Sequence, residues 1–173
     1  MNDNELNVRE QPNELEERIA KALKEIDLIK KERSVVKTAE DLESLERKIV
    51  EATEKLASAL VAQKVQDSIN SKELKDEAAI LVKTHPKRMK NQGIRDVTIR
   101  PSRGEPFTVK TTYFSQKGKR KKKRLGFYPE LILLGIHDHC TPGLASEVSV
   151  TTVAMSSFEE AEVHWPTEAY VLM

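Results

Sequence analysis

The segment KGKRKKKR, from Lys117 to Arg124, places seven cations in eight residues. Like charges at that density repel one another, and a phosphate backbone that sheds counter-ions on contact relieves them. If about six of them met phosphates, affinity would fall roughly a thousandfold between 50 and 200 mM salt. Lys117, Lys119, Arg120, Lys121, Lys122, Lys123 and Arg124 are therefore the leading candidates for DNA contact. The same composition serves as a nuclear localisation signal, so the run alone specifies basic recognition. Arg100, Arg103 and Lys110 are read as extending this track, with Arg88 and Arg95 adding to the positive surface. Tyr113, Phe114, Phe127 and Tyr128 flank the run and either stack on bases or pack a small core.

The only other cluster with reactive potential is His137, Asp138, His139 and Cys140. Its spacing does not suit a zinc finger, which needs a second ligand pair further along the chain. Neighbouring residues rarely aim at one another, so a Cys140 nucleophile with a histidine base is weak, and no glycine-rich phosphate loop is present. No catalytic residue, metal site or cofactor is expected. A small hydrolase centred on this cluster would need an activity lost on replacing Cys140. As the single cysteine, Cys140 excludes an internal disulfide and fits a reducing compartment.

The net charge of +1 conceals three unlike segments. Residues 1–82 carry 14 Lys or Arg against 19 Asp or Glu, residues 83–124 carry 15 against 2, and residues 125–173 carry none against 7. A field so segregated favours a polyanion at the middle of the chain. The amino terminus is polar and acidic, and no apolar run approaches the roughly 18 residues that span a bilayer. A soluble protein of the cytoplasm with no membrane partner is the expectation.

The elements that must position these residues begin with an amphipathic helix between Asn13 and Lys37, marked by Leu15, Ile19, Ala22, Ile26, Ile29 and Val36. Thr38 and Asp41 form a capping box that restarts the helix, and Leu42, Leu45, Ile49, Ala52, Leu56 and Ala59 follow at heptad spacing. Neither helix can bury its stripe alone. A hairpin within the chain, a homo-oligomeric coiled coil and docking on another domain all remain open. A third helix is expected from a cap at Asn70, with Glu73 in the capping-box position, to His85 and Pro86. The period then changes to two: Val97 and Ile99, a turn over Pro101 to Pro106, then Phe107, Val109, Thr111 and Tyr113 predict an antiparallel β-hairpin. Leu131 to Ile136 reads as either strand or buried helix. Thr141 and Pro142 start a helix with Leu144, Val148 and Val150 or Thr151 on its face, and Ser156 or Ser157 opens another that carries Phe158 and Ala161.

The fold class is thus α+β, mainly helical. Residues 1–84 form a helical, coiled-coil-like arm and 85–127 a small basic β-hairpin subdomain. Short helices occupy 128–161 and a tail 162–173.

Two stretches carry a family resemblance: RGEPFTVKTTYFSQKGKRKKKR, from Arg103, and YPELILLGIHDHCTPGLASEVSVTTVAMSSFEEA, ending at Ala161. Together they resemble the N-terminal region of bacterial insertion-sequence transposases, especially a cyanobacterial type. The resemblance implies a DNA-binding front end leading into helix-turn-helix-like helices, here the incomplete region 128–161, with an RNase H-like domain beyond that holds metal ions through three acidic residues. The 49 residues after Arg124 are too few for that domain, so no catalytic residue is carried over. After Glu162 the sequence VHWPTEAYVLM departs from the family and reads as a truncated or out-of-frame ending. A natural first-frame product and a decayed remnant both remain open. The expected function is binding of element-end DNA as the non-catalytic part of a transposase. The alternative is a coiled-coil adaptor whose basic segment takes RNA or an acidic partner.

Overall fold

The computed structural model describes residues 11–32, 35–116 and 126–154. It is mainly helical with one small antiparallel sheet, the α+β arrangement expected. The basic run from Lys117 to Arg124, the helix foreseen near Ser156 and the divergent tail lie outside the described residues.

Helices α1 (Gln11–Lys31) and α2 (Ala39–Asn70) fold on each other as an antiparallel hairpin. Its register is marked by two ion pairs, Lys48 with Glu32 at 3.6 Å and Lys55 with Glu25 at 3.2 Å, in which one number rises as the other falls. Buried Leu15 and Ala22 of α1 meet a face of α2 that carries Ala52, Ala59 and Ala62, residues small enough to let two helices approach closely. The open choice between an internal hairpin and an intermolecular coil is thereby resolved for this stripe: the chain supplies its own partner. The first helix ends at Lys31 and not at Lys37, and Val36 is non-helical and 42% exposed. Residues 35–37 are non-helical ahead of the Thr38 cap. Thr38 then caps α2 as foreseen: its hydroxyl accepts from the Asp41 amide at 3.1 Å, while the Asp41 carboxylate accepts from the Thr38 and Lys37 amides.

The heptad seam is only partly covered. Ala52 and Ala59 are buried, whereas Leu42 and Ile49 stay 48% and 43% exposed. Helix α3 (Lys72–Thr84) is capped by Ser71, not Asn70. Ser71 adopts the extended backbone that a cap needs and its hydroxyl accepts from the Leu74 amide. Asn70 is still helical, and its side chain accepts a hydrogen bond from Gln66.

Strands β1 (Met89–Ile99) and β2 (Phe107–Gln116) pair from Ile99↔Phe107 at the turn to Met89↔Gln116 at the open end. A bulge between Asn91 and Ile94 interrupts them, with Gly93 at φ +90°. The short strand β3 (Gly126–Phe127) adds to β2 through Phe114↔Phe127 and Ser115↔Gly126. The segment from Leu131, left open between strand and helix, begins within α4 (Pro129–Leu133), which packs on α3 and β2. Gly135, at φ +69°, turns the chain after it. The Thr141 hydroxyl accepts from the Leu144 amide at the start of α5 (Pro142–Ala154). Leu144 is buried, Val148 and Thr151 are half-buried and Val150 is 65% exposed, so Thr151 and not Val150 completes the inner face.

One core joins these parts. Val97, Ile99, Phe107 and Val109 of the sheet pack with Leu15, Ala62 and Ile69 of the arm and with Leu131 and Ile136. Each buried Val, Leu, Ile or Phe among them contributes roughly 1.5–3 kcal/mol by leaving water. The arm, the hairpin and the segment after it are therefore tied by shared burial.

Candidate nucleic-acid interface

Pairing at the open end of the sheet decides which cations become neighbours. Met89 lies opposite Gln116, Lys90 opposite Ser115, and Ser115 opposite Gly126. Three strands abreast span about 10 Å. Gln116 and Gly126, the described residues on either side of the basic run, therefore stand at the same end of the sheet. Lys87, Arg88 and Lys90, all exposed, sit where β1 starts at this same end. Between His85 and Tyr128 the only acids are Asp96 and Glu105. Asp96 is opposite Lys110, and Glu105 is in the far turn. The open end thus gathers positive charge with no carboxylate of the hairpin beside it.

Aromatic rings brace this end. The Arg95 guanidinium lies 4.0 Å from the Tyr113 ring centre, and the Tyr128 ring packs against Tyr113 at 4.9 Å. Gly126 is required beneath: a side-chain carbon there would collide with the Tyr113 ring. The His85 ring stacks on Phe127 at 5.3 Å, and its Nδ1 accepts from the Lys87 amide at 3.1 Å, which fixes the backbone that carries Lys87. Tyr113, Phe114, Phe127 and Tyr128 are all half-buried, unlike Phe107 at 1% exposed.

The three cations expected to extend the track are placed elsewhere. From Phe107 to Gln116 the strand makes nine steps. At about 3.4 Å per residue, Arg100 and Arg103 lie roughly 30 Å from the open end. There the backbone of Arg100 is sewn to the following loop: its amide donates to the His139 carbonyl at 2.7 Å and its carbonyl accepts from the Thr141 amide at 3.0 Å. Arg103 pairs with Glu147 at 3.8 Å on the surface. Lys110 is half-buried midway, where the Gln66 side-chain amide acts as a substitute strand, accepting from the Lys110 amide at 2.8 Å and donating to its carbonyl at 3.2 Å. None of the three lies at the open end. The sequence alone does not single out Lys87 and Lys90; the register counted outward from the turn puts Lys90 opposite Ser115, and Lys87 just precedes β1 at the same end.

The His137 to Cys140 segment is a tight turn, with Asp138 and His139 both left-handed at φ 48° and 64°. Such backbone is unfavourable for non-glycine residues. It is held by the bond from the Cys140 amide to the His137 carbonyl at 2.8 Å and by the His139 ring against the Thr98 carbonyl at 2.9 Å. Burial pushes the Cys140 thiol above its ordinary pKa, and Asp138 adds to this while Arg100 opposes it. That is the reverse of what a thiolate nucleophile needs. Among the described residues no group of three His, Cys, Asp or Glu is placed to hold a metal ion.

A cavity of about 190 Å³ lies where α2, β2 and α4 meet, with Gln66, Asn70, Lys75, Thr111 and Glu130 in its wall. Glu130 is buried and accepts from the Thr111 hydroxyl at 3.1 Å, a bond that pins α4 to the sheet. No helix among the described residues is long and apolar enough to cross a membrane. No protein-family model, curated protein or solved structure matches the chain.

Proposed function

We propose that the chain binds DNA through the open end of its sheet, as the non-catalytic N-terminal portion of an insertion-sequence transposase working at the nucleoid. The observation that carries the binding part is the register that brings Lys87, Arg88 and Lys90 beside the two anchor points of the basic run, with no hairpin carboxylate in that half. Cations grouped in this way need a polyanion, and phosphates supply one at regular spacing. The transposase part rests on the resemblance from Arg103 to Ala161. Phosphate contacts position a protein without reading sequence, so choice of the element ends belongs to other residues of the assembly. The deciding experiment is a fluorescence-anisotropy titration of duplex DNA at rising salt, with Lys87, Arg88, Lys90 and the run replaced by alanine in separate variants. Each lost phosphate contact lowers the salt slope by about 0.9. An unchanged slope in both variants would remove the proposal.

The second reading, an interaction protein whose cations serve RNA or an acidic partner, draws on the exposed Leu42, Ile49 and Val50 near the free end of the arm. Sedimentation of the full chain, together with competition between duplex DNA and RNA, separates the two. Self-association combined with a preference for RNA would favour the second.

A further inference from the structure

We infer that the open end of the sheet takes nucleic acid whose bases are unpaired, with Phe114 and Phe127 stacking on those bases while the exposed Lys87 and Arg88 hold the backbone; this deepens the nucleic-acid reading above and rests on it.

The argument starts from where the aromatic residues are. Of the five described Phe and Tyr residues, four lie at the open end and are half-buried, and only Phe107 is in the core. Two of the four have a structural task. Tyr113 is enclosed by Arg95, Tyr128 and Gly126, and Tyr128 packs against the core cluster. Phe114 and Phe127 stand outside both groups: neither belongs to the core cluster, the Phe114 carbonyl lies beside Gly126, and the Phe127 ring meets the His85 ring.

As directly opposed residues of β2 and β3 they share one face of the sheet, and alternation along β2 puts Tyr113 on the other. The His85 ring lies on Phe127 within 20° of parallel, so a stack is already begun at that edge. An acidic peptide would satisfy the cations and leave this ring pair without use. A duplex offers phosphates and base edges, while its base faces are occupied by one another. Only unpaired bases present both a phosphate chain and free ring faces. The source, single-stranded DNA or RNA, shares that chemistry.

The test uses the full chain and oligonucleotides of roughly 12 nucleotides, within the range one binding surface covers. Three probes are compared at one salt concentration: single-stranded DNA with an internal 2-aminopurine, RNA of the same sequence, and the matching DNA duplex. The wild type is expected to change 2-aminopurine fluorescence on a single strand and to bind at least one single-stranded probe more tightly than the duplex. The double variant Phe114→Leu, Phe127→Leu, shown by circular dichroism to keep its helices, is expected to lose about tenfold on the single strand. Its salt slope and its duplex affinity should stay within twofold of wild type. An equal loss on duplex and single strand, or a wild type that binds without perturbing the fluorophore, overturns the stacking proposal. The second of these outcomes needs no variant to fold. Absence of salt-sensitive binding to any of the three probes overturns the nucleic-acid reading itself, so the two failures are told apart.

Discussion

The two ends of the β1–β2 hairpin carry cations of the same kind and use them differently. At the turn end, Arg103 meets Glu147, the Arg100 backbone is bonded to His139 and Thr141, and Gly104 presses on α2. At the open end, Lys87, Arg88 and Lys90 stand exposed beside the anchors of the basic run, and both hairpin acids are distant. The difference teaches that basic composition is not a site. A cation becomes available to a polyanion only when the fold leaves it without an acidic neighbour, and strand register decides which cations those are. Exposed ion pairs such as Arg103 with Glu147 contribute little stability, so their chief effect is to reduce the local field.

The largest effect should come from attacking this contrast directly. Replacing the seven cations between Lys117 and Arg124 with alanine is expected to abolish the roughly thousandfold weakening of DNA binding between 50 and 200 mM salt. Arg103→Ala is expected to leave that dependence within twofold. Anisotropy titrations at several salt concentrations measure both. Equal losses from the two changes would erase the distinction between the ends.

The next test exchanges affinity for stability. Gly104 and Gly93 both have positive φ, at +76° and +90°, but an added methyl meets the Glu54 carbonyl at Gly104 and open space at Gly93. Gly104→Ala should therefore cost about 2–3 kcal/mol and Gly93→Ala about 1 kcal/mol, read from urea unfolding. Neither should change the salt slope much, because the first loosens the packed end and the second lies in a bulge with no cation of its own. Gln66→Leu is expected to fall between them, at about 1–2 kcal/mol, since it strips the Lys110 amide and carbonyl of their partner.

Local signals in the sequence were read well and distant ones were not. The capping box at Thr38, the cap and first-turn proline at Thr141 and Pro142, and the period-two burial of Val97, Ile99, Phe107 and Val109 each depend on residues a few positions apart. The antiparallel partner of α2, the bond from Gln66 to Lys110 and the stacking of His85 on Phe127 depend on contacts between separate elements. Ser71 shows the limit even locally. Asn70 and Ser71 are both good caps by type, and the choice fell to Ser71 because Asn70 is held in α2 and accepts from Gln66. Leu42 fits the heptad, yet stays exposed because α1 stops before reaching it. For the site, the cation types were visible, while their division between two ends required the register.

The smallest effect concerns the arm tip, beyond the packed turn and far from the open end. Asp41 accepts hydrogen bonds from the Lys37 and Thr38 amides, and these backbone bonds, Lys37 first, hold its carboxyl below the ordinary value of 3.8. A carboxyl whose pKa is lower folded than unfolded adds stability that is complete above the unfolded value and disappears as pH falls through the folded one. Helicity near the tip should therefore begin to decline below about pH 4 in the wild type. Asp41→Asn should remove that part of the acid response, which makes the difference between the two curves the measurement, since Glu40 is also lowered, by a backbone hydrogen bond and by Thr38, and Glu51 by Lys55. Thr38→Ala, which deletes the other half of the cap, should cost about 1 kcal/mol at neutral pH. Neither change should touch the salt dependence of DNA binding. If Asp41→Asn did alter it, the arm tip and the open end would be coupled through the length of α2, and the independence of the regions would fail.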